Sequence, residues 1–358
     1  MLWRSVFVSY AICATSAAAS SAELYGAADV GVRYTTEQGA RWRLQGGAFS
    51  GSHWGLRSLP ATSGRTGGVF KLESGFELLD GTLGQNGRIF GRQAWVGAAG
   101  DWGQLTLGRH YGALIDVLAD FDPLGIGAAE SATWNTKLIG NRFNRSIKYE
   151  NRFGPLKFGA LYGLGRATAG AETNRGGSVR LTHDAGPLLL GAGYETVGDD
   201  SGRRAHNWIA GGAYALRNIK LFGGYIDSRI EPGFGLRYWN AAHDYQDTYG
   251  DIGIHIDVDG MGRRDQLLQL GARVRLTPRW TVTTTYLHKR VTNVPTCYHR
   301  RTFYAVVSHA LSKHADLYLF AEHNRNSDAV PLQTPRPDGL ADPAIRQTGV
   351  MLGYWYRF

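Results

Sequence analysis

Cysteine is nearly missing from this chain: 358 residues carry only Cys13 and Cys297. Cys13 lies in an apolar N-terminal stretch that reads as a removable leader. A lone remaining thiol closes no internal disulfide, which excludes a stapled secreted fold. Cys13 follows Ile12 where a lipid-modified cysteine would need a small residue, so it is no anchor either. Beyond the N-terminus no run approaches the roughly 18 apolar residues of a membrane-spanning helix. Proline is sparse at 11 residues, while 49 glycines punctuate the chain. There is no G-x-S-x-G elbow, no H-E-x-x-H and no phosphate-binding Walker loop. The 11 histidines are scattered, and none stands at metal-ligand spacing with cysteine or carboxylate, so neither enzyme chemistry nor a cofactor is expected. His309 and His314 flank an expected turn and read as titratable surface groups, and Cys297 reads as an incidental loop thiol.

What is present begins with an export signal. Arg4 supplies a positive start, Val6 to Ala14 a short apolar core, and Thr15 to Ala22 a run of small residues. Cleavage is expected after Ala19 or Ala22, leaving a single domain from 23 to 358. The formal net charge is +9, with 39 basic against 30 acidic residues. For an exported chain, nucleic acid is an unsuitable partner. A basic water-filled interior, or contact with anionic lipopolysaccharide, suits the charge better.

Strand-like segments of period-two alternation recur from end to end. In the first, Leu24, Ala28, Val30, Val32 and Tyr34 share one face, and Tyr25, Asp29 and Arg33 share the other. In the last, Val350, Leu352, Tyr354, Tyr356 and Phe358 share a face opposite Gly353 and Arg357. Short turns are expected near Leu59–Ser63, Gly100–Asp101, Asn151–Pro155, Asp184–Pro187, Arg217–Asn218, Thr277–Arg279 and Ser312–His314. Longer polar loops are expected near Thr35–Phe49, Leu79–Gly87, His110–Asn141, Gly165–Gly176, Gly198–Ala205, Ile230–Asp265, Thr292–Arg300 and Asn326–Ala344. Seven turns alternating with eight loops connect sixteen strands.

The pattern predicts an all-β protein: an antiparallel transmembrane β-barrel of sixteen strands, with short periplasmic turns and long external loops. Closure is the physical reason, since hydrocarbon leaves no partner for an unpaired sheet edge. Side chains alone cannot fill so wide a barrel, so water should fill it and charged residues are tolerated at alternate positions. Trp42, Trp54, Trp95, Trp102, Trp280, Trp355 and Tyr356 lie near strand ends, where interfacial girdles are expected.

Several segments, in order, resemble the trimeric general porins of Gram-negative bacteria. Glu23-Leu-Tyr-Gly-Ala-Ala-Asp29 looks like their opening strand, and Ser52-His-Trp-Gly-Leu-Arg57 and Phe70-Lys-Leu-Glu-Ser-Gly-Phe76 like the next two. Phe90 to Gly97, Leu105 to Arg109, Asn141 to Tyr149 and Phe158 to Gly163 are similar to four further strands. Leu311-Ser-Lys313 with Tyr318 resembles a late turn. His53, His314-Ala315 and Arg145 depart from the family pattern. The closing Val350, Leu352, Tyr354, Tyr356 and Phe358 resemble the signal by which outer-membrane barrels are recognised and inserted.

The resemblance implies a homotrimeric outer-membrane channel for ions and small hydrophilic solutes. It implies that the third long loop, about 110–141, folds inside and narrows the pore. Acidic Asp116, Asp120, Asp122 and Glu130 would then face a basic wall. By strand parity that wall comprises Arg57, Lys71, Arg88, Arg92 and Arg142, with Arg92 and Arg142 also lying in matched motifs. The excess of basic residues predicts a weak anion preference. The second external loop, Leu79–Gly87, would latch neighbouring protomers, although it is short. A substrate-specific channel or adhesin on the same barrel is the alternative. A barrel hydrolase is a more distant one, since enzymatic barrels use fewer strands.

Overall fold

A computed structural model describes residues 22–36, 41–59, 66–125, 142–168, 171–173, 175–199, 201–234, 262–292, 297–327 and 346–358. The leader assigned to residues 1–22 lies outside them except for Ala22, where the first strand begins. The elements in chain order are β1 (Ala22–Thr35), β2 (Arg41–Gly46), β3 (His53–Ser58), β4 (Gly67–Gly75), the single turn α1 (Gly84–Gly87), β5 (Gln93–Gly100), β6 (Gly103–Tyr111) and α2 (Ala113–Phe121). There follow β7 (Arg142–Phe153), β8 (Leu156–Gly163), β9 (Arg166–Thr168), β10 (Ala171–Thr173), β11 (Gly176–Ala185), β12 (Leu188–Gly198) and β13 (Arg204–Leu216). The chain ends with β14 (Ile219–Ile230), β15 (Arg263–Arg275), β16 (Trp280–Thr292), β17 (Tyr298–Ala310), β18 (Ala315–Asn326) and β19 (Arg346–Arg357).

Successive strands pair antiparallel, and β1 pairs with β19 from Ala27↔Arg357 to Thr35↔Gly349, closing the sheet on itself. The hairpin β9–β10 stands apart in a loop, so β8 pairs directly with β11. Both β2 and β3 pair with β1, β2 along Val30–Thr35 and β3 along Ala22–Ala27. They are therefore two halves of one barrel strand, and the 17 strands of the sheet make sixteen staves. Reciprocal backbone bonds between Gly26 and Phe358, at 2.9 and 3.1 Å, tie the two ends of the described chain together. With no sheet edge left open, the ladder can sit in hydrocarbon.

The faces are inverted relative to a water-soluble protein. Leu24, Val96, Leu190, Leu270 and Leu352 are exposed on the outer face, while Asp29, Glu73, Glu195 and Glu322 are buried on the inner one. Among the described residues no helix is long and apolar enough to cross a membrane; the strands do so. Turns at Asp101–Trp102, Gly154–Pro155, Gly186–Pro187, Arg217–Asn218, 276–279 and 311–314 mark one rim. Helix α2 and residues 231–234 after β14 start from the other.

Two expectations need correction. The first loop is shorter than Thr35–Phe49, because Arg41–Gly46 continues the ladder as β2. The aromatic girdle is also smaller. Trp42, Trp102, Trp280 and Tyr356 are exposed, but Trp95 faces inward, stacked on His110 at 5.9 Å, and Trp355 stacks on Phe49 at 5.1 Å.

Candidate functional site

Helix α2 lies inside the barrel. Its Leu114, Val117, Leu118 and Phe121 recur at i, i+3, i+4 and i+7, giving one apolar face. That face packs on Ile209, Ile226, Leu267 and Leu287 of the inner wall. The wall is thinned to receive it. A Cβ on Gly211 would stand 2.7 Å from Phe121 Cζ, and Gly224 abuts the same ring. Buried Glu195 sits at the helix start, where Leu114 N donates to its Oε2 at 3.4 Å, a placement the helix dipole favours. Past the helix, Gln269 donates to Asp122 Oδ1 at 3.3 Å, and Arg273 reaches the Pro123 carbonyl.

The acidic residues of this segment do not all face open space. Asp116 accepts from Lys148 Nζ at 2.6 Å and lies 3.6 Å from Arg180 Nε. Glu150 joins them, 2.5 Å from Arg180 Nη2 and 3.6 Å from Lys148 Nζ. Two acids and two bases thus form one network between α2 and the adjoining β7 and β11 wall. Asp120 accepts from the Thr182 hydroxyl at 3.3 Å. Glu130 lies outside the described residues. Lys148, Glu150 and Arg180 escaped the sequence reading; parity alone would have placed them inside.

The basic residues assemble on another sector. Arg57 stacks over the Tyr25 ring at 4.8 Å, with Lys71 Nζ at 5.5 Å from the same ring. The Tyr25 hydroxyl donates to Glu73 at 2.6 Å. Glu73 also meets Lys71 at 3.2 Å and Arg92 at 2.6 Å. Arg142 donates to the Arg92 carbonyl and to the Tyr111 hydroxyl, both at 3.0 Å. Arg57, Lys71, Arg92 and Arg142 therefore form one column across β3 to β7. Arg57, at the short-turn end of this column, is half-exposed and also pairs with Glu23 at 2.8 Å. Arg88 is the C-cap of α1, its carbonyl accepting from Gly91 N at 3.2 Å. Counting β2 and β3 together, β4 is the third stave and β14 the eleventh, eight apart in a ring of sixteen. The column thus faces, across the lumen, the wall on which α2 is docked.

A second segment also turns inward. Residues 47–52, between β2 and β3, fold over fully buried Asp29, whose Oδ2 accepts from Phe49 N at 2.8 Å and Ser50 N at 2.9 Å. Tyr318 donates to Asp29 Oδ1 at 2.8 Å and accepts from Ala48 N at the same distance. Phe49, Tyr318 and Trp355 join the apolar cluster around α2. One sector of the interior is therefore packed.

A family model described as Gram-negative porin matches residues 5–329. The chain belongs to the Gram-negative porin family. It is 26% identical over 316 residues to an outer membrane porin protein of Bordetella pertussis, covering 76% of this chain and 82% of that one. The anion-selective porin from Comamonas acidovorans superposes with a TM-score of 0.73 at 22% identity, covering 95% of this chain and all of that one. The trimer form of OmpT from Vibrio cholerae gives 0.62 at 14% identity, covering 95% and 100%. This porin is an outer-membrane diffusion channel, not an enzyme.

Proposed function

We propose that this porin is a homotrimer, exported by a leader spanning residues 1–22, that passes ions and small hydrophilic solutes with a weak preference for anions. The observation that supports the preference is the gathering of Arg57, Lys71, Arg92 and Arg142 into one column facing α2. Opposed charges across a gap comparable to the Debye length, about 8 Å, are poorly screened. A passing anion is drawn to the guanidinium side, and an apolar solute must displace ordered water. Asp116, Asp120, Asp122 and Glu130 form the acidic side of the constriction, with Arg57, Lys71, Arg88, Arg92 and Arg142 as the basic wall. Asp116 is held by Lys148 and Arg180, as Lys71 and Arg92 are by Glu73, so much of the field on both sides is spent locally and the preference is weak. Anion selectivity in the Comamonas acidovorans porin and a trimer form of OmpT lend support by analogy.

Val350, Leu352, Tyr354, Tyr356 and Phe358 serve as the insertion signal, and lipopolysaccharide forms the outer-leaflet surroundings. The test is the zero-current potential across a planar bilayer under a salt gradient. Arg92→Glu with Arg142→Glu should move it toward cation preference. An unchanged potential in a conducting variant contradicts the assignment of the basic wall.

A further inference from the structure

Two histidines meet on the outer face of the barrel beside the external rim, where β16 ends at Thr292 and β17 begins at Tyr298. The two strands run antiparallel, with His288 paired to Arg301 and Arg290 to His299. Lys289 and Arg300 are buried on the inner face, so alternation sends His288, Arg290, His299 and Arg301 outward. The imidazoles are diagonal neighbours in this square, within reach of one another across the ladder. His288 Nε2 lies 3.3 Å from His299 Nδ1, with ring centroids 5.5 Å apart and planes at 88°. Hydrogen bonds on the far side of β17 fix the backbone of His299. Its N donates to Ser327 Oγ at 3.0 Å, and Ser327 N donates to its carbonyl at 2.9 Å. The pair is 11 residues apart in sequence, on different strands, so no motif announces it.

The spacing suits a metal ion. Two nitrogens bound at about 2.0–2.1 Å to a tetrahedral centre stand about 3.3–3.4 Å apart, which is the separation of this pair. A hydrogen bond between two imidazoles also requires one nitrogen to present its lone pair. At least one ring is therefore neutral, the form that ligates metal. A hard cation gains little at this position. Among the described residues no three His, Cys, Asp or Glu side chains are grouped to hold an ion, and magnesium or calcium would need carboxylate oxygens. Exposed Arg290 and Arg301 repel any cation held by charge alone. A late first-row ion overcomes that repulsion through partly covalent bonds to imidazole, copper(II) most strongly.

We infer that His288 and His299 form a two-nitrogen site for a divalent transition-metal ion, copper(II) first, with water in the remaining coordination positions. The bound ion ties β16 to β17 where their ladder ends, at Val291↔Tyr298. Cys297, exposed and two residues before His299, is not required as a ligand. The inference goes beyond the channel reading and does not rest on the ion preference of the lumen, because both rings point away from it.

The test titrates the full chain, folded in detergent micelles, with copper(II) and reads the electron paramagnetic resonance spectrum. The chain carries Cys297→Ser, so that no thiol reduces the metal. One ion per protomer should bind, its signal split by two nitrogens. Adding His288→Gln or His299→Gln should weaken binding about tenfold or more and leave splitting from a single nitrogen. Nickel and zinc should compete, whereas excess magnesium or calcium should not. The parent chain, with every side chain in place, gives a readout that needs no folded variant. Copper or zinc should raise its resistance to urea, and a chelator should reverse the gain. Affinities within about twofold of the parent in both histidine variants overturn the site. So does a spectrum without nitrogen splitting, displacement by magnesium, or urea resistance that the metals leave unchanged. Single-channel conductance should be the same with and without copper; a copper-dependent block would put the ion in the lumen and also overturn the site.

Discussion

The Tyr318 hydroxyl donates to Asp29 Oδ1 at 2.8 Å although 289 residues separate the two in sequence. The bond spans β18 and β1, which are not neighbours in the sheet, and it pins the inward-folded 47–52 segment between them. Asp29 accepts three hydrogen bonds here, from Phe49 N, Ser50 N and Tyr318. Asp29→Ala strands all three donors in a buried site. The expected loss is on the order of 3–5 kcal/mol, against about 1–3 kcal/mol for Tyr318→Phe, which strands Ala48 N alone and leaves the Phe49 and Ser50 bonds to Asp29 in place. Urea unfolding in detergent, followed by the mobility shift of the folded barrel, should reproduce that order. Equal effects would mean that Asp29 does not organise this segment.

The seat of α2 makes a second prediction. Gly224 abuts the Phe121 ring, so Gly224→Leu leaves no room for the helix where it lies. The barrel ladder itself should survive, because the added side chain points into the lumen. Unitary conductance should change by a sizeable fraction while circular dichroism keeps its β signature. Wild-type conductance in a folded Gly224→Leu channel would show that α2 does not shape the pore.

The Asp116 network offers a third. Removing one partner of a buried charge pair costs about 3–5 kcal/mol, and Asp116→Asn leaves Lys148 and Arg180 with Glu150 alone. The variant should be less stable and more anion-selective than the parent. Lys148→Met should be destabilised to a similar degree, with selectivity moving the other way. Parallel selectivity shifts in the two variants would contradict an electrostatic role.

Much of the fold was legible because a closed sheet in lipid obeys a rule that the sequence prints directly. Leu24, Val32 and Leu352 alternate with Asp29, Arg33 and Gly353, and short turns alternate with long loops. What escaped was set by contacts remote in sequence. Arg41 to Gly46 alternates as a strand should, yet Gly46-Gly47 and the polar stretch before it read as loop; only pairing to Val30–Thr35 shows β2. Trp95 and Trp355 looked like girdle residues from their position near turns, whereas parity sends both inside. The partners of Asp116 depend on how α2 docks, and that is decided by glycines on β13 and β14 about a hundred residues downstream.

The C-terminal residue tests assembly apart from stability. Phe358 keeps both backbone bonds to Gly26 whatever its side chain, and the residue is 46% exposed. Phe358→Ala should therefore refold in micelles nearly as well as the parent but reach the outer membrane several-fold less. Normal assembly in cells would remove the terminal ring from the insertion signal.

A planar bilayer bathed in a potassium chloride gradient puts the whole account to the test with the unmodified protein. Inserted protein should open in uniform, ohmic steps, and the zero-current potential should carry the sign of a modest chloride preference. Protein that inserts and stays silent, or whose potential shows clear potassium preference, would contradict a channel past the Arg57 to Arg142 column.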